Sequence, residues 1–598
     1  MQFKNRFILA LSMTLLAACT STNSNNPKSS SKLGIQCKPH SRVENTEMAI
    51  KGLTLVGTHI SNARFDKSAA EIVSYDNCTD SLYVVNAQAA QVDVLSLNQD
   101  AKPINNGVID LQSAALHSGL NIGAANSVTT HGGLVAIAVE NKTKQQNGII
   151  ALYRSDTLEL INTYTAGALP DMVSFSKDGR YLASANEGEP NSDYSVDPEG
   201  SVTLVDLSDG PMNANVTQIN FRAFNSENSR FNEVSETVRI SAPNASVAQD
   251  LEPEFLTFAD NGKLYVALQE NNAIAVIDVA NAEIDEIFGL GGKSWSNAQL
   301  DASNKDKKAG NFKSYPMLEG LYMPDSITSY TINGKTYILT ANEGDGREYG
   351  FDTTQKNCDI KSYQWDEDDF SNTDKYDSAE GFCIAYVDEV RGKNLNIDEN
   401  HPLSVALKDK TQLGRLKILN DKNISQGKAI SFDETVYTYG ARSFSIFSES
   451  GRLVYDSGDE FARIALRENG EYFNSTNDSN QSGDDRSDDK GSEPEAIETA
   501  NINNRQYAFI GLERQGGIMI YDVSNPEKPT FNHYVNNRHY SEGVCTTIDD
   551  GNCDNGKYNV KAGDLGPESI KYFQRNGQHY LAVGNEVSGT TSVYRMEF

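Results

Sequence analysis

Apolar and polar residues alternate in short runs along most of the chain, as in SVTLVDL (201–207), AIAVIDV (273–279) and GGIMIYDV (516–523). A period of two places alternate side chains on opposite faces of an extended strand. Glycine-bearing turns separate the runs, and patterns with helical period are scarce. The pattern predicts an all-β protein built from many short strands.

The runs are organised by a recurring phrase: a proline and an acid, a strand, a gap, a second strand, then a polar residue and a glutamate. It reads PDMVSFSKDGRYLASANE from Pro170-Asp171 to Asn186-Glu187. Further copies run from Pro253-Glu254 to Gln269-Glu270 and from Pro324-Asp325 to Asn342-Glu343. Two more run from Pro494-Glu495 to Glu513 and from Pro567-Glu568 to Asn585-Glu586. Weaker copies begin at Glu71, ending at Asn86, and at Asn126, ending at Glu140.

Repeated short-strand units of this kind describe a WD40/YVTN-like β-propeller. The gap of 170 residues between Asp325 and Glu495 is about twice its neighbours and contains an unmarked strand set, GRLKIL (414–419), TVYTYGA (435–441), SFSIF (443–447) and RLVYDS (452–457). Eight blades are therefore expected, with seven the alternative. The early strand GLTLVGTHI (52–60) is expected to close the ring. Residues 344–413 and 474–490 fall outside the phrase and read as long loop insertions on a single propeller spanning 45–598.

Because the repeated acids occupy one place in every unit, they are expected to converge on the propeller axis. Asp171, Glu254, Asp325, Glu495 and Glu568 would begin innermost strands, while Glu187, Glu270, Glu343, Glu513 and Glu586 would end second strands. Crowded carboxylates must raise their pKa values, pair with bases or bind cations. Hard oxygen donors favour Ca2+. Arg347, Arg442 and Arg514 lie at or just after the expected ends of second strands and Arg486 precedes Glu495, so all four are candidates for a phosphate-bearing ligand or for salt bridges to the ring. A purely structural use, with the acids bonding backbone N–H groups, is the competing expectation.

The first residues give an address. Lys4 and Arg6 precede a short apolar stretch, and Leu16-Ala17-Ala18-Cys19 reads as a bacterial lipobox. Residues 1–18 would be the lipoprotein signal, Cys19 the lipidated residue, and 19–44 a flexible tether. Thr20, in place of an aspartate, favours the outer membrane, facing the periplasm or the cell exterior. Export favours disulfides, and loop closure predicts the pairs Cys37–Cys78, Cys358–Cys383 and Cys545–Cys553. The net charge of −30 argues against a nucleic-acid partner. A monomer is expected.

Other motifs fail on inspection. Gly292-Lys293-Ser294 ends like a phosphate-binding loop, but Ile287 stands where its opening glycine belongs. The Asp550, Asn552, Asp554 run has Asn555 in place of the EF-hand glycine. No nucleophile motif is present, so any hydrolysis would need metal-bound water.

The segments ALPDMVSFSKDGRYLASANEGEP (168–190), YSVDPEGSVTLVDL (194–207), LQENNAIAVIDV (268–279) and YILTANEGDGREY (337–349) resemble the choice-of-anchor I family. So do GARSFSIF (440–447), RSDDKGSEPE (486–495), FIGLERQGGIMIYD (509–522), GDLGPESI (563–570) and NEVSGTTSVY (585–594). The resemblance implies a propeller. Through members such as a sea-urchin mesenchyme-specific cell surface glycoprotein, it also implies a link to calcium mineral or cell-surface binding; bacterial members labelled alkaline phosphatase imply phosphoester chemistry. The sequence thus predicts a calcium-dependent propeller lipoprotein at the outer membrane that binds a surface or extracellular ligand through its acidic ring. The alternative is a metal-dependent phosphoester hydrolase, and whether the protein is an enzyme stays open.

Overall fold

The computed structural model describes residues 35, 37, 48–242, 244–366, 381–420, 428–546 and 557–598. Seven four-stranded antiparallel sheets form the body of the molecule. Blade one comprises Ala69–Asp76, Ser81–Asn86, Gln91–Leu97 and Pro103–Asp110, and blade two Ile122–His131, Leu134–Asn141, Asn147–Arg154 and Leu160–Ala168. Blade three comprises Pro170–Phe175, Tyr181–Asn186, Ser201–Asp206 and Asn215–Asn220, and blade four Leu256–Phe258, Lys263–Leu268, Ala273–Asp278 and Glu283–Gly289. Blade five joins Ile327–Ile332 and Lys335–Asn342 to Ser443–Ser448 and Leu453–Asp456. Blade six is Pro494–Ile502, Arg505–Leu512, Ile518–Asp522 and Thr530–Val535. Blade seven takes three strands from the end of the chain, Pro567–Arg575, Gln578–Asn585 and Thr590–Glu597, and its fourth from Gly52–Ile60.

The innermost strands pack on one another in blade order, and that of blade seven packs back on that of blade one, so the sheets close into a ring. This is the predicted all-β propeller, with the early strand closing it. The blade count is seven, which corrects the preference for eight. The strands at 443–448 and 453–456 are the third and fourth of blade five, the third pairing with the second strand across a hundred-residue insertion and the fourth with the third. The strands Lys417–Leu419 and Val436–Thr438 join Gly292–Ser294, Leu318–Leu321 and Glu389–Arg391 in a five-stranded sheet outside the ring. That lobe has its own apolar core around Trp295, Leu318, Leu407 and Ile418.

The period of two decides where the cores lie. In blade two, Val135, Ile137 and Val139 face blade one, whereas Leu134, Ala136 and Ala138 face blade three. Each blade is thus apolar on both faces, and a separate core fills each of the seven gaps between neighbours. The second strand is buried along its whole length in blade two, which is why it reads as a continuous apolar run.

The insertion leaves and re-enters blade five through a tight neck. Gly344 (φ +87°) and Gly440 (φ +66°) adopt left-handed backbone, and a Cβ on Gly440 would lie 1.8 Å from the Glu343 carbonyl. Only glycine fits there. Residues 474–490 are packed in as well: the side chains of Asn474, Asn477, Asn480 and Ser487 are buried and hydrogen-bonded.

The disulfides Cys37–Cys78 and Cys358–Cys383 form as the sequence predicts. Cys545 is also disulfide-bonded. Cys553, Cys19, the signal segment and the 550–555 run lie outside the described residues. Among the described residues no helix is long and apolar enough to cross a membrane.

Candidate functional site

The repeated phrase builds the site from the backbone up. Pro170 pairs with Asn186 and Pro567 with Asn585, so the start of the first strand and the end of the second lie at the same end of each blade. The acids that follow, Asp171 with Glu187 and Glu568 with Glu586, therefore meet at one mouth of the ring.

The polar residue before the second acid has a specific task. Asn186 accepts from Ser184 Oγ at 2.8 Å and donates from Nδ2 to Ser201 Oγ at 3.2 Å and Thr203 Oγ1 at 2.9 Å. Asn342 repeats this with Thr340, Ser443 and Ser445. These bonds lock the end of the second strand to the third, which fixes the backbone from which Glu187 and Glu343 project. Neighbouring blades are tied beside the axis too. Ser326 Oγ donates to the Glu495 carbonyl, Ser569 Oγ to the Glu71 carbonyl, and Asn126 Nδ2 to the Pro170 carbonyl at 3.0 Å.

Seven blades thus aim their carboxylates at a shared axis, and the acids shift one another's titration across it. Burial, then Asp325, Glu270, Glu187 and Asp171, raise Glu254 well above the usual carboxylate range. Burial first and neighbouring acids second do the same for Glu187, Asp325, Glu495 and Glu568. Burial lifts Glu343 to about 8, and Glu270 and Glu513 to about 7, even though Lys490, Arg347 and Arg514 respectively pull them down. Asp171 rises to about 7 and Glu71 to about 8, burial again leading. Glu586 is raised by burial, with Arg514 opposing.

Compensation is lopsided. Glu343 receives Lys490 Nζ at 2.6 Å and Gln269 Nε2 at 2.9 Å. Arg514 Nε lies 3.0 Å from Glu513. No lysine or arginine among the described residues forms a salt bridge with Asp171, Glu187, Glu254, Glu270, Asp325, Glu495, Glu568 or Glu586. Glu254 Oε2 and Glu495 Oε2 are buried without any hydrogen-bond partner. Burying such oxygens unsatisfied is costly.

The four arginines singled out by sequence are committed to protein acceptors. Arg347 is fully buried and bonds Glu252 Oε2 at 2.9 Å, Asp250 Oδ1 at 3.2 Å and the Asp250 carbonyl at 2.7 Å. Arg486 bonds Glu493 at 2.6 Å and Asp489 at 3.0 Å. Arg514 reaches Glu493 at 3.2 Å and Asn477 Oδ1 at 2.8 Å. Arg442 sits apart from the ring acids, on the carbonyls of Asp301, Ser487 and Asp489.

Sequence reasoning missed Glu252 and Glu493. The signal was the tripeptide Glu-Pro-Glu, present at 252–254 and 493–495. In both copies the first glutamate is salt-bridged, Glu252 to Arg347 and Glu493 to Arg486, Lys490 and Arg514, whereas the second makes no salt bridge and buries an oxygen without a partner, as Glu252 Oε1 also does. Against the burial that would raise it, Arg486, Lys490 and Arg514 hold the Glu493 carboxyl well below its usual value.

Two sets of three acids bring ligand atoms within 4.8 Å of one another: Asp325, Glu343 and Glu495, and Glu343, Glu493 and Glu513. That spread suits one shared hard cation with oxygens at about 2.4 Å.

The choice-of-anchor I domain matches residues 71–526. The chain is 28% identical over 331 residues to a mesenchyme-specific cell surface glycoprotein of Strongylocentrotus purpuratus, covering 52% of this chain and 40% of the relative. It is 30% identical over 173 residues to Gigasin-3a of Magallana gigas, covering 27% of this chain and 58% of the relative. Among solved structures it resembles the Cps50 (Swd1) β-propeller domain of Myceliophteria thermophila, with TM-score 0.38 and 7% identity, over 90% of this chain and 99% of that one.

Proposed function

Because the chain belongs to the choice-of-anchor I family, we propose that it is a surface-associated propeller that takes up Ca2+ on its axis and uses the bound ion to hold an extracellular or cell-surface ligand. Lipidation at Cys19, with display at the outer membrane, is part of the same proposal. Surface association is supported by the name of the sea-urchin relative, a cell surface glycoprotein. The observation that carries the ion is the uncompensated arc of converging carboxylates, two of which bury an oxygen with no partner. All-oxygen donors select hard cations, and an ion would relieve both the mutual repulsion and the unmet hydrogen-bonding capacity. Phosphoester hydrolysis is less well supported: Arg347, Arg442, Arg486 and Arg514 each hold protein acceptors, and the surrounding field repels an anion unless a cation bridges it.

The test is thermal unfolding in EDTA and in millimolar Ca2+, for the wild type and Glu495→Gln. The reading expects Ca2+ to raise the melting temperature of the wild type, and to do so less in the variant. A melting temperature indifferent to Ca2+ would overturn it. Release of the protein from membranes by Cys19→Ala tests the anchor, and retention would contradict it.

A further inference from the structure

Two overlapping triads share Glu343, yet their surroundings differ. The Glu343–Glu493–Glu513 set already contains the chain's own cations: Lys490 Nζ lies 2.6 Å from Glu343 and 3.3 Å from Glu493, while Arg486 and Arg514 flank Glu493. In the Asp325–Glu343–Glu495 set only Glu343 makes a salt bridge, to Lys490, and neither Asp325 nor Glu495 makes one among the described residues; Arg514 acts on Glu343 and Glu495 only from beyond salt-bridge distance. Glu495 is 8% exposed and its Oε2 has no partner. Asp325 comes from blade five and Glu495 from blade six, so an ion here would also bridge the two blades next to the insertion neck.

We propose that Asp325, Glu343 and Glu495 are the primary divalent-cation site and that Lys490 is a built-in ammonium that fills the adjoining triad, so that the pair of triads takes one ion rather than two. This assignment rests on the axial-ion reading above and names where on the axis the ion sits. Lys490 belongs to the 474–490 segment, which carries its ammonium into the ring between Glu343 and Glu493. Because Glu343 is shared, Lys490 competes with the ion for one of its three carboxylate ligands and repels it electrostatically. Removing the ammonium leaves Glu343 wholly to the metal and opens the second triad.

The experiment is calorimetric titration of the full-length protein with CaCl2, for the wild type, Glu495→Gln, Asp325→Asn and Lys490→Met, each checked for fold by circular dichroism. The wild type should bind Ca2+, and either carboxylate variant should weaken the tightest site at least tenfold. Lys490→Met should tighten it at least tenfold or add one ion per chain. A wild type that takes up no Ca2+ overturns the axial-ion reading together with this assignment. A wild type that binds while Glu495→Gln and Asp325→Asn bind equally well overturns the assignment alone, as does a Lys490→Met variant with unchanged affinity and stoichiometry. Should any variant fail to fold, the Mn2+ anomalous signal in crystals of the wild type decides: a peak among Asp325, Glu343 and Glu495 supports the assignment, and a peak elsewhere refutes it.

Discussion

Glu493 and Glu495 stand two residues apart, on either side of Pro494, and the fold gives them opposite electrostatics. Glu493 is enclosed by Arg486, Lys490 and Arg514, whereas the Glu495 carboxyl is raised by burial first and then by Glu568, Glu513, Glu343 and Asp325. Substitution should therefore act in opposite directions. Glu493→Gln leaves three cations short of their shared carboxylate and should destabilise the protein by about 3–5 kcal/mol in urea unfolding. Glu495→Gln removes an uncompensated charge and should raise stability in EDTA at pH 8, measured the same way. Asn186→Ala, which frees Ser184, Ser201 and Thr203 from their partner, should cost about 1–3 kcal/mol. The channel-facing acids were legible in the sequence because one residue type recurs at one place in the phrase. Glu493 was not, because only its three-dimensional neighbours distinguish it from Glu495. The Asn-Glu pairing was visible as a repeat, but its cause, the bonds to the third strand, needs the register of that strand.

Each blade is a sheet whose two faces belong to different cores, so the strand pattern alone was enough to announce a propeller. The blade number was harder to read, because counting strands along the chain assumes that neighbours in sequence are neighbours in a sheet. Blade five breaks that assumption: its second strand ends at Asn342 and its third begins at Ser443. The strand set between them was read with its third strand as a separate blade. The closing strand was legible as the alternating run GLTLVGTHI at 52–60, which precedes the first marked unit, and it pairs with the third strand of blade seven. Deleting residues 48–60 should leave Thr590–Glu597 with an open edge and open the ring between blades seven and one. Hydrogen exchange should then accelerate across 590–597, with a lower melting temperature than the parent, while exchange across 263–268 in blade four changes far less.

At the scale of the whole molecule, the axis concentrates acids that the folded state prefers to keep protonated. Glu71 and Glu343 rise to about 8 from an ordinary value of 4.5. The folded state thus binds protons that the unfolded chain releases, so this contribution to stability is complete below pH 4.5 and is lost as pH climbs through 8. Without divalent ions, the melting temperature should fall between about pH 5 and pH 8, and saturating Ca2+ should raise it more at pH 8 than at pH 5. A flat profile in EDTA would show that the ring's charges are met in some other way. Glu493, whose folded value is depressed, acts in the opposite sense: its contribution is present above its ordinary value and lost on acidification below it. The most direct measurement of the central claim is the position of a bound ion in crystals of the protein grown with Mn2+, read from its anomalous signal. An ion held by carboxylates of the axial ring is the predicted result. Crystals that bind Mn2+ only on the outer strands, or not at all, would contradict it.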